Sequence, residues 1–291
     1  MQFNILEIER SLKRQYYSPL RYPGGKGVLG NYFRSILSDN PHLNEYIEPF
    51  AGGAGIAINL LVNNSVDKVT INDIDAAVFS FWRLVKNRPE ELIKAIEKED
   101  ISLENWKRWK VEYKENYKQN TPNDELGKLF FFLNRTSRSG VINGGVIGGV
   151  SQNGRDKIDA RFNKKSLISK IEVIGNNSSK LTVMNKDIFE LLNGIRDNES
   201  TLIYLDPPYI EKGSKLYTCK FNDNSHRELS RKLTSKDSAI KNWMLSYDDV
   251  PLIHNLYRNQ PMARFNLRYT ANRSYQGNEV MMFSKNLIPS K

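Results

Sequence analysis

The chain has 291 residues, 39% of them hydrophobic and 26% charged, enough for one large or two modest domains with a real core. Its formal net charge of +10 points to a polyanionic partner, while one cysteine, Cys219, and three scattered histidines exclude an intrachain disulfide and the usual metal-ligand spacings, so no metal is expected. No apolar run approaches the ~20 residues of a membrane helix and MQFNILEIERSLKRQYY lacks a signal-peptide core, so a cytoplasmic protein without membrane association is expected.

The first recognisable segment is SPLRYPGGKG, residues 18–27. Lys26 in its glycine turn could hold a carboxylate, and Tyr22 could pack on an adenine or methionine moiety. Gly27 replaces the Ser or Thr that a phosphate-binding P-loop requires, and in isolation a surface turn is the plainer reading. Next, NEYIEPF reads as a strand running into the turn AGGAG and the helix-like IAINLLVNN. Within that turn, Glu48, Phe50, Gly52, Gly53 and Gly55 are candidate ligand contacts, because glycine permits a tight turn and close backbone approach. KVTIND then forms a β-branched strand, and Asp73 at its end lies about 20 residues beyond the glycines, the usual place for an acid that grips a ribose diol. A dinucleotide site is the alternative, weakened by Ile58 where a third glycine belongs. AAVFSFWRLVKN follows as an amphipathic helix closed near Pro89.

Residues 86–170 differ in character and read as an inserted domain, with residues 1–85 and 171–291 forming the catalytic part. LENWKRWKVEYKENYK is a charged helix. Its Trp106, Trp109, Tyr113 and Tyr117 recur at helical spacing and read as a stripe packed on core. Lys107, Lys110, Lys114 and Lys118 read as a solvated face that could also meet phosphate. NRTSRSGVINGGVIGGVSQNGRDK is rich in Gly, Asn, Ser and Arg and reads as an exposed loop or hairpin, with Arg135, Ser137, Arg138 and Asn143 as candidate contacts to DNA.

LTVMNKD and TLIYLDPPY repeat the plan of an apolar strand ending in an aspartate. Strands alternating with helices imply a mostly parallel sheet, with ligands at the strands' carboxyl ends. The sequence Asp206-Pro207-Pro208-Tyr209 has a specific chemical logic. An exocyclic amine is a poor nucleophile because its lone pair is delocalised into the ring. Acceptors that hold both N–H groups draw the nitrogen towards a tetrahedral shape and aim that lone pair. The Asp206 carboxylate and the Pro207 carbonyl can be those acceptors. Two prolines fix the carbonyl directions and add no competing N–H, and Tyr209 offers a ring on which a base can stack. A rigid turn with Tyr209 as packing is the bland alternative.

Taken in order, RYPGGK, EPFAGGAG, INDID, the basic insert, NKDIFE and LDPPY resemble the Dam-like, alpha-group (D12 class) DNA adenine methyltransferases over nearly the whole chain. FFFLNRTSRSG is similar to the family's FLxLNRxxxNG stretch, FNDNSHRELSRKL to its segment after DPPY, and LSYDD and GNEVMMFSKN to its last strands. The resemblance implies an α/β fold: a Rossmann-like methyltransferase sheet with a smaller, mostly helical inserted target-recognition domain carrying a hairpin. It implies S-adenosylmethionine as methyl donor, adenine N6 in duplex DNA as acceptor, and base flipping. It also implies that Tyr22, Lys26, Asp73 and Asp206 contact the cofactor or reaction centre, with Asp187 beside the cofactor's adenine. Double-stranded DNA, a cognate restriction endonuclease and a monomeric state complete the expected partnerships. Ser139 stands where many relatives carry Asn, so their target sequence does not transfer. The rivals are an N4-cytosine methyltransferase, whose relatives more often carry Ser in place of Asp206, and a catalytically silent DNA-binding module. A C5-cytosine enzyme needs a cysteine after proline, whereas Cys219 follows Thr218.

Overall fold

The computed structural model describes residues 16–22, 24–196, 199–210, 221–270 and 274–287, with side chains described for all of these except 266–270 and 274–278. Cys219 and residues 1–15 lie outside the described residues.

Seven strands form one sheet: β1 (Glu45–Glu48), β2 (Lys68–Asn72), β3 (Leu181–Met184), β4 (Thr201–Leu205), β5 (Asn242–Asp248), β6 (Met262–Thr270) and β7 (Ser274–Phe283). Their order is β3-β2-β1-β4-β5-β7-β6. The first five are parallel, and β7 enters antiparallel between β5 and β6, setting Asp248 opposite Glu279. The mostly parallel sheet read from the sequence is present. The order reverses between β1 and β4, where connections leave in opposite directions and open a crevice at the carboxyl ends of the strands.

Alternation along the strands divides the core between the two faces. Leu202 and Tyr204 of β4, Met244 of β5, and Met281 and Phe283 of β7 join one cluster. Ile203 and Leu205, Trp243, Leu245 and Tyr247, and Val280 and Met282 join the other. Strands apolar on both faces must be covered on both, which explains why TLIYL is a continuous apolar run.

Ten α-helices are described: α1 (Gly30–Asp39), α2 (Gly55–Val62), α3 (Ala76–Asn87), α4 (Pro89–Lys98), α5 (Leu103–Lys118), α6 (Asp124–Thr136), α7 (Lys164–Asn176), α8 (Ile188–Gly194), α9 (Asp223–Thr234) and α10 (Pro251–Leu256). Asp75 caps α3 by accepting from the Ala77 and Val78 amides, and Pro89 opens α4 at a position where a missing N–H costs nothing. Among the described residues no helix is long and apolar enough to cross a membrane.

Within residues 86–170, α5 and α6 contribute to the same buried cluster as the sheet. Trp109 is buried and stacks on Phe132 at 4.8 Å, while Tyr117 donates to the Asp75 carboxylate. Gly127 of α6 lies so close to α3 that a Cβ there would sit 2.8 Å from the Ser80 carbonyl. Lys107, Lys114 and Lys118 are exposed, but Lys110 donates to the Ile142 carbonyl. The loop after α6 is closed by an antiparallel bridge between Ser137 and Val146.

Candidate active site

The carboxyl end of β1 supplies Glu48, buried and accepting from the Tyr46 hydroxyl and the Ala57 amide, both at 3.0 Å. Burial pushes its carboxyl up to about 8 against those two donors, with the nearby Asp206 charge adding to the rise. The glycine turn follows. Gly52 has φ +44°, and a Cβ there would meet the Tyr22 ring at 2.7 Å, so this position requires glycine twice over. The Trp82 indole and the Ser18 hydroxyl donate to the Gly52 and Gly53 carbonyls and fix the turn. Gly55 is equally constrained, since its Cβ would lie 2.7 Å from Gly27.

Beyond β2, half-buried Asp73 accepts from the Gly52 amide at 2.8 Å and the Asp75 amide at 2.9 Å. Burial and then the Asp75 charge raise it to about 7, opposed by the two amide bonds. Asn72, absent from the sequence reading, joins three strand ends: it donates to the Pro49 and Lys186 carbonyls and accepts from the Lys186 amide. Asp187 is exposed and caps α8 through the Phe189 amide. Phe189 and Phe50 both pack on Phe221, at ring distances of 6.3 and 5.8 Å, and make an apolar wall beside these acids.

The carboxyl end of β4 carries the densest polar cluster. Asp206 Oδ1 accepts from Ser246 at 2.6 Å and Tyr209 at 3.1 Å, and Oδ2 accepts from Lys26 at 3.1 Å. Lys26 also donates to the Gly24 carbonyl and lies 3.5 Å from Glu279 Oε2, which is hydrogen-bonded to the Tyr209 hydroxyl at 2.9 Å. Tyr204 shares a 2.8 Å hydrogen bond with Ser246. The Lys26 and Glu279 side chains are 4% and 0% exposed, whereas Asp206 retains 22%, so of these three it is the one that meets an incoming molecule. Pro207 is buried, and Pro208 and Tyr209 are half-buried. Pro23 lies outside the described residues.

The candidate DNA contacts separate. Arg138 and Asn143 are exposed. Ser137 departs from the expectation: it is 0% exposed, its hydroxyl accepts from the Trp106 indole and its carbonyl from Arg21. Arg135 turns inward, donating to the Pro19 and Arg161 carbonyls, and burial lowers its pKa to about 10, with Arg21 and Arg161 adding to the fall. Asn134, within the LNR stretch, is 1% exposed. Its Oδ1 accepts the Arg21 amide at 2.8 Å, and its Nδ2 donates to the Arg21 and Gly140 carbonyls at 2.7 and 3.0 Å.

The family model described as D12 class N6 adenine-specific DNA methyltransferase matches residues 22–272. Type II methyltransferase M.MjaIII of Methanocaldococcus jannaschii is 29% identical over 244 residues, covering 78% of this chain and 82% of its own. Type II methyltransferase M1.LlaDCHI of Lactococcus lactis subsp. cremoris is 24% identical over 255 residues, with 82% and 83% covered. Among solved structures, the rRNA methyltransferase aviRa from Streptomyces viridochromogenes aligns over 90% of this chain and 86% of its own, at 12% identity and a TM-score of 0.42.

Proposed function

The chain belongs to the D12 class N6 adenine-specific DNA methyltransferases, and on that footing we propose that Asp206 and the Pro207 carbonyl hold the adenine N6 amine for methyl transfer. The observation that carries this reading is Asp206 itself: at the end of a buried strand, fixed by Ser246, Tyr209 and Lys26, yet open on one side. S-adenosylmethionine supplies the methyl group from its sulfonium. The glycine turn, held tight by Tyr22, fits a cofactor that needs close backbone approach; Asp73 would hold its ribose and the Phe50, Phe189 and Phe221 wall its adenine, with exposed Asp187 at the rim and buried Glu48 at the base of the turn.

A target adenine inside a duplex is out of reach and must be flipped, at a cost of a few kcal/mol. Its amine approaches the open side of Asp206, and the half-buried Tyr209 ring would stack on the base. The amine is held through both N–H groups, which favours attack by its lone pair; the new N–C bond replaces the donor's S–C bond, whose electron pair stays on sulfur as a neutral thioether, and the surplus amine proton then passes to water at the open side of Asp206. Methylated nucleosides from DNA of a methylation-free host expressing the chain test this reading. N6-methyladenine is expected, and N4-methylcytosine in its place would overturn it.

Target reading belongs to the loop after α6. Its exposed members, Arg138 and Asn143, are the base-reading groups in this proposal, while Arg135 and Ser137 support the loop from within. Arg138→Ala is expected to relax preference at one position of the site, costing roughly 1–3 kcal/mol there. Equal weakening on every DNA sequence would move Arg138 to the phosphate backbone. The same reading has the chain act as a monomer on double-stranded DNA, with a restriction endonuclease cutting the same site as its partner. The type II names of the two curated relatives support that pairing.

A further inference from the structure

Glu279 lies on β7, far in sequence from every other member of the polar cluster, yet its side chain is fully buried beside Asp206. Its Oε2 meets Tyr209 Oη at 2.9 Å and Lys26 Nζ at 3.5 Å. Its Oε1 is buried and has no hydrogen-bond partner among the described residues. The titratable groups around it are Lys26 from the turn before α1, Asp206 and Tyr209 after β4, Tyr204 on β4, and Asp248 opposite it on β5; on β6 its register partner is Phe265.

This arrangement poses a counting problem. Tyr209 has one hydroxyl hydrogen, but its oxygen is within hydrogen-bond distance of two carboxyl groups. If both were ionised, one would face a lone pair with a lone pair, and one ammonium would serve two anions. One carboxyl must bring a hydrogen of its own. Asp206 already receives donors from Ser246 and Lys26 and is partly open to water, so it is not the carboxyl that lacks a hydrogen. Glu279 has neither a dedicated donor for Oε1 nor access to solvent.

We propose that Glu279 is a positioning residue of the methyl-transfer centre, which as a neutral carboxylic acid holds Tyr209 and Lys26 against Asp206 while Asp206 carries the charge. The acid donates to Tyr209 Oη, Tyr209 donates to Asp206 Oδ1, and Lys26 keeps its charge for Asp206. Burial agrees with this, raising the Glu279 carboxyl to about 7, with Lys26 lowering and Asp206 raising it. The inference rests on the reading of Asp206 as the group that holds the amine.

Two measurements test it. The first needs no activity. A carboxyl whose folded value lies near 7 rather than 4.5 binds more protons in the native state across that window, so its contribution to stability falls as pH rises from about 4.5 to 7. Glu279→Gln cannot ionise and lacks that loss. Its melting temperature relative to the parent is expected to rise between about pH 5 and pH 8; a constant difference would overturn the proton assignment. The second is single-turnover methylation at saturating S-adenosylmethionine. Glu279→Ala is expected to lose about 10–100-fold in rate with cofactor affinity nearly unchanged, because the reacting groups lose their alignment. Glu279→Gln, which preserves shape and a donor, is expected to recover most of it. An alanine variant that methylates at the parent rate would remove Glu279 from the centre. A parent enzyme that transfers no methyl would instead sink the reading of Asp206, while the melting curves still decide the protonation of Glu279.

Discussion

Asp206→Ala is expected to lower single-turnover methylation by about 10²–10³ at saturating cofactor, with the fold and DNA binding retained, the scale of removing one preorganised group from a reaction centre. The carboxylate lies at the end of β4 and gathers Ser246, Tyr209 and Lys26, so alanine removes the acceptor and leaves three donors without their common partner. Lys26 retains Glu279 and the Gly24 carbonyl, and Tyr209 retains Glu279, so the surrounding side chains stay tethered. Rapid-quench measurement on a single-site duplex separates the chemical step from binding. Transfer at close to the parent rate would return Asp206-Pro207-Pro208-Tyr209 to the role of a structural turn.

Asp73→Ala is expected to weaken S-adenosylmethionine binding by roughly 1.5–3 kcal/mol, about ten- to a hundredfold, from the loss of charge-assisted hydrogen bonds. Part of that loss comes from within the protein, because the same carboxylate accepts the Gly52 amide and holds the glycine turn to the end of β2. Asp73→Asn, which retains one acceptor oxygen for Gly52, is expected to lose less. Titration calorimetry measures both, and unchanged affinity in the alanine variant would place the ribose elsewhere.

The elements that bear on the site differ in how legible they are in the sequence. EPFAGGAG, INDID and LDPPY each place an acid at the end of an apolar run, which is local information, and they mark β1, β2 and β4. LENWKRWKVEYKENYK forms a helix over Leu103–Lys118 because its aromatic stripe and Ser102 cap are local too. Glu279 and Ser246 are not legible in this way. The family resemblance marks GNEVMMFSKN as one of the last strands, but only the insertion of β7 between β5 and β6 brings Glu279 to Asp206. Ser137 misleads for the opposite reason. A Gly- and Ser-rich stretch suggests exposure, while the Trp106 indole and the bridge to Val146 bury its first residue. Phe189 could have been found from its place two residues after Asp187, in the first turn of the helix that Asp187 caps.

The buried amide of Asn134 ties the backbone on either side of Arg21 to Gly140, so the segment that leads to Tyr22 and Lys26 is fastened to the loop that presents Arg138. A Cβ at Gly140 would lie 2.1 Å from the Arg21 carbonyl, which leaves no slack between the two segments. On the proposed assignment of that loop to DNA, the two substrates are thermodynamically linked. DNA that draws on the loop is then expected to change cofactor affinity, and by reciprocity the cofactor to change DNA affinity by the same factor. Asn134→Ala should weaken that link, so that the affinity for DNA depends less on bound cofactor.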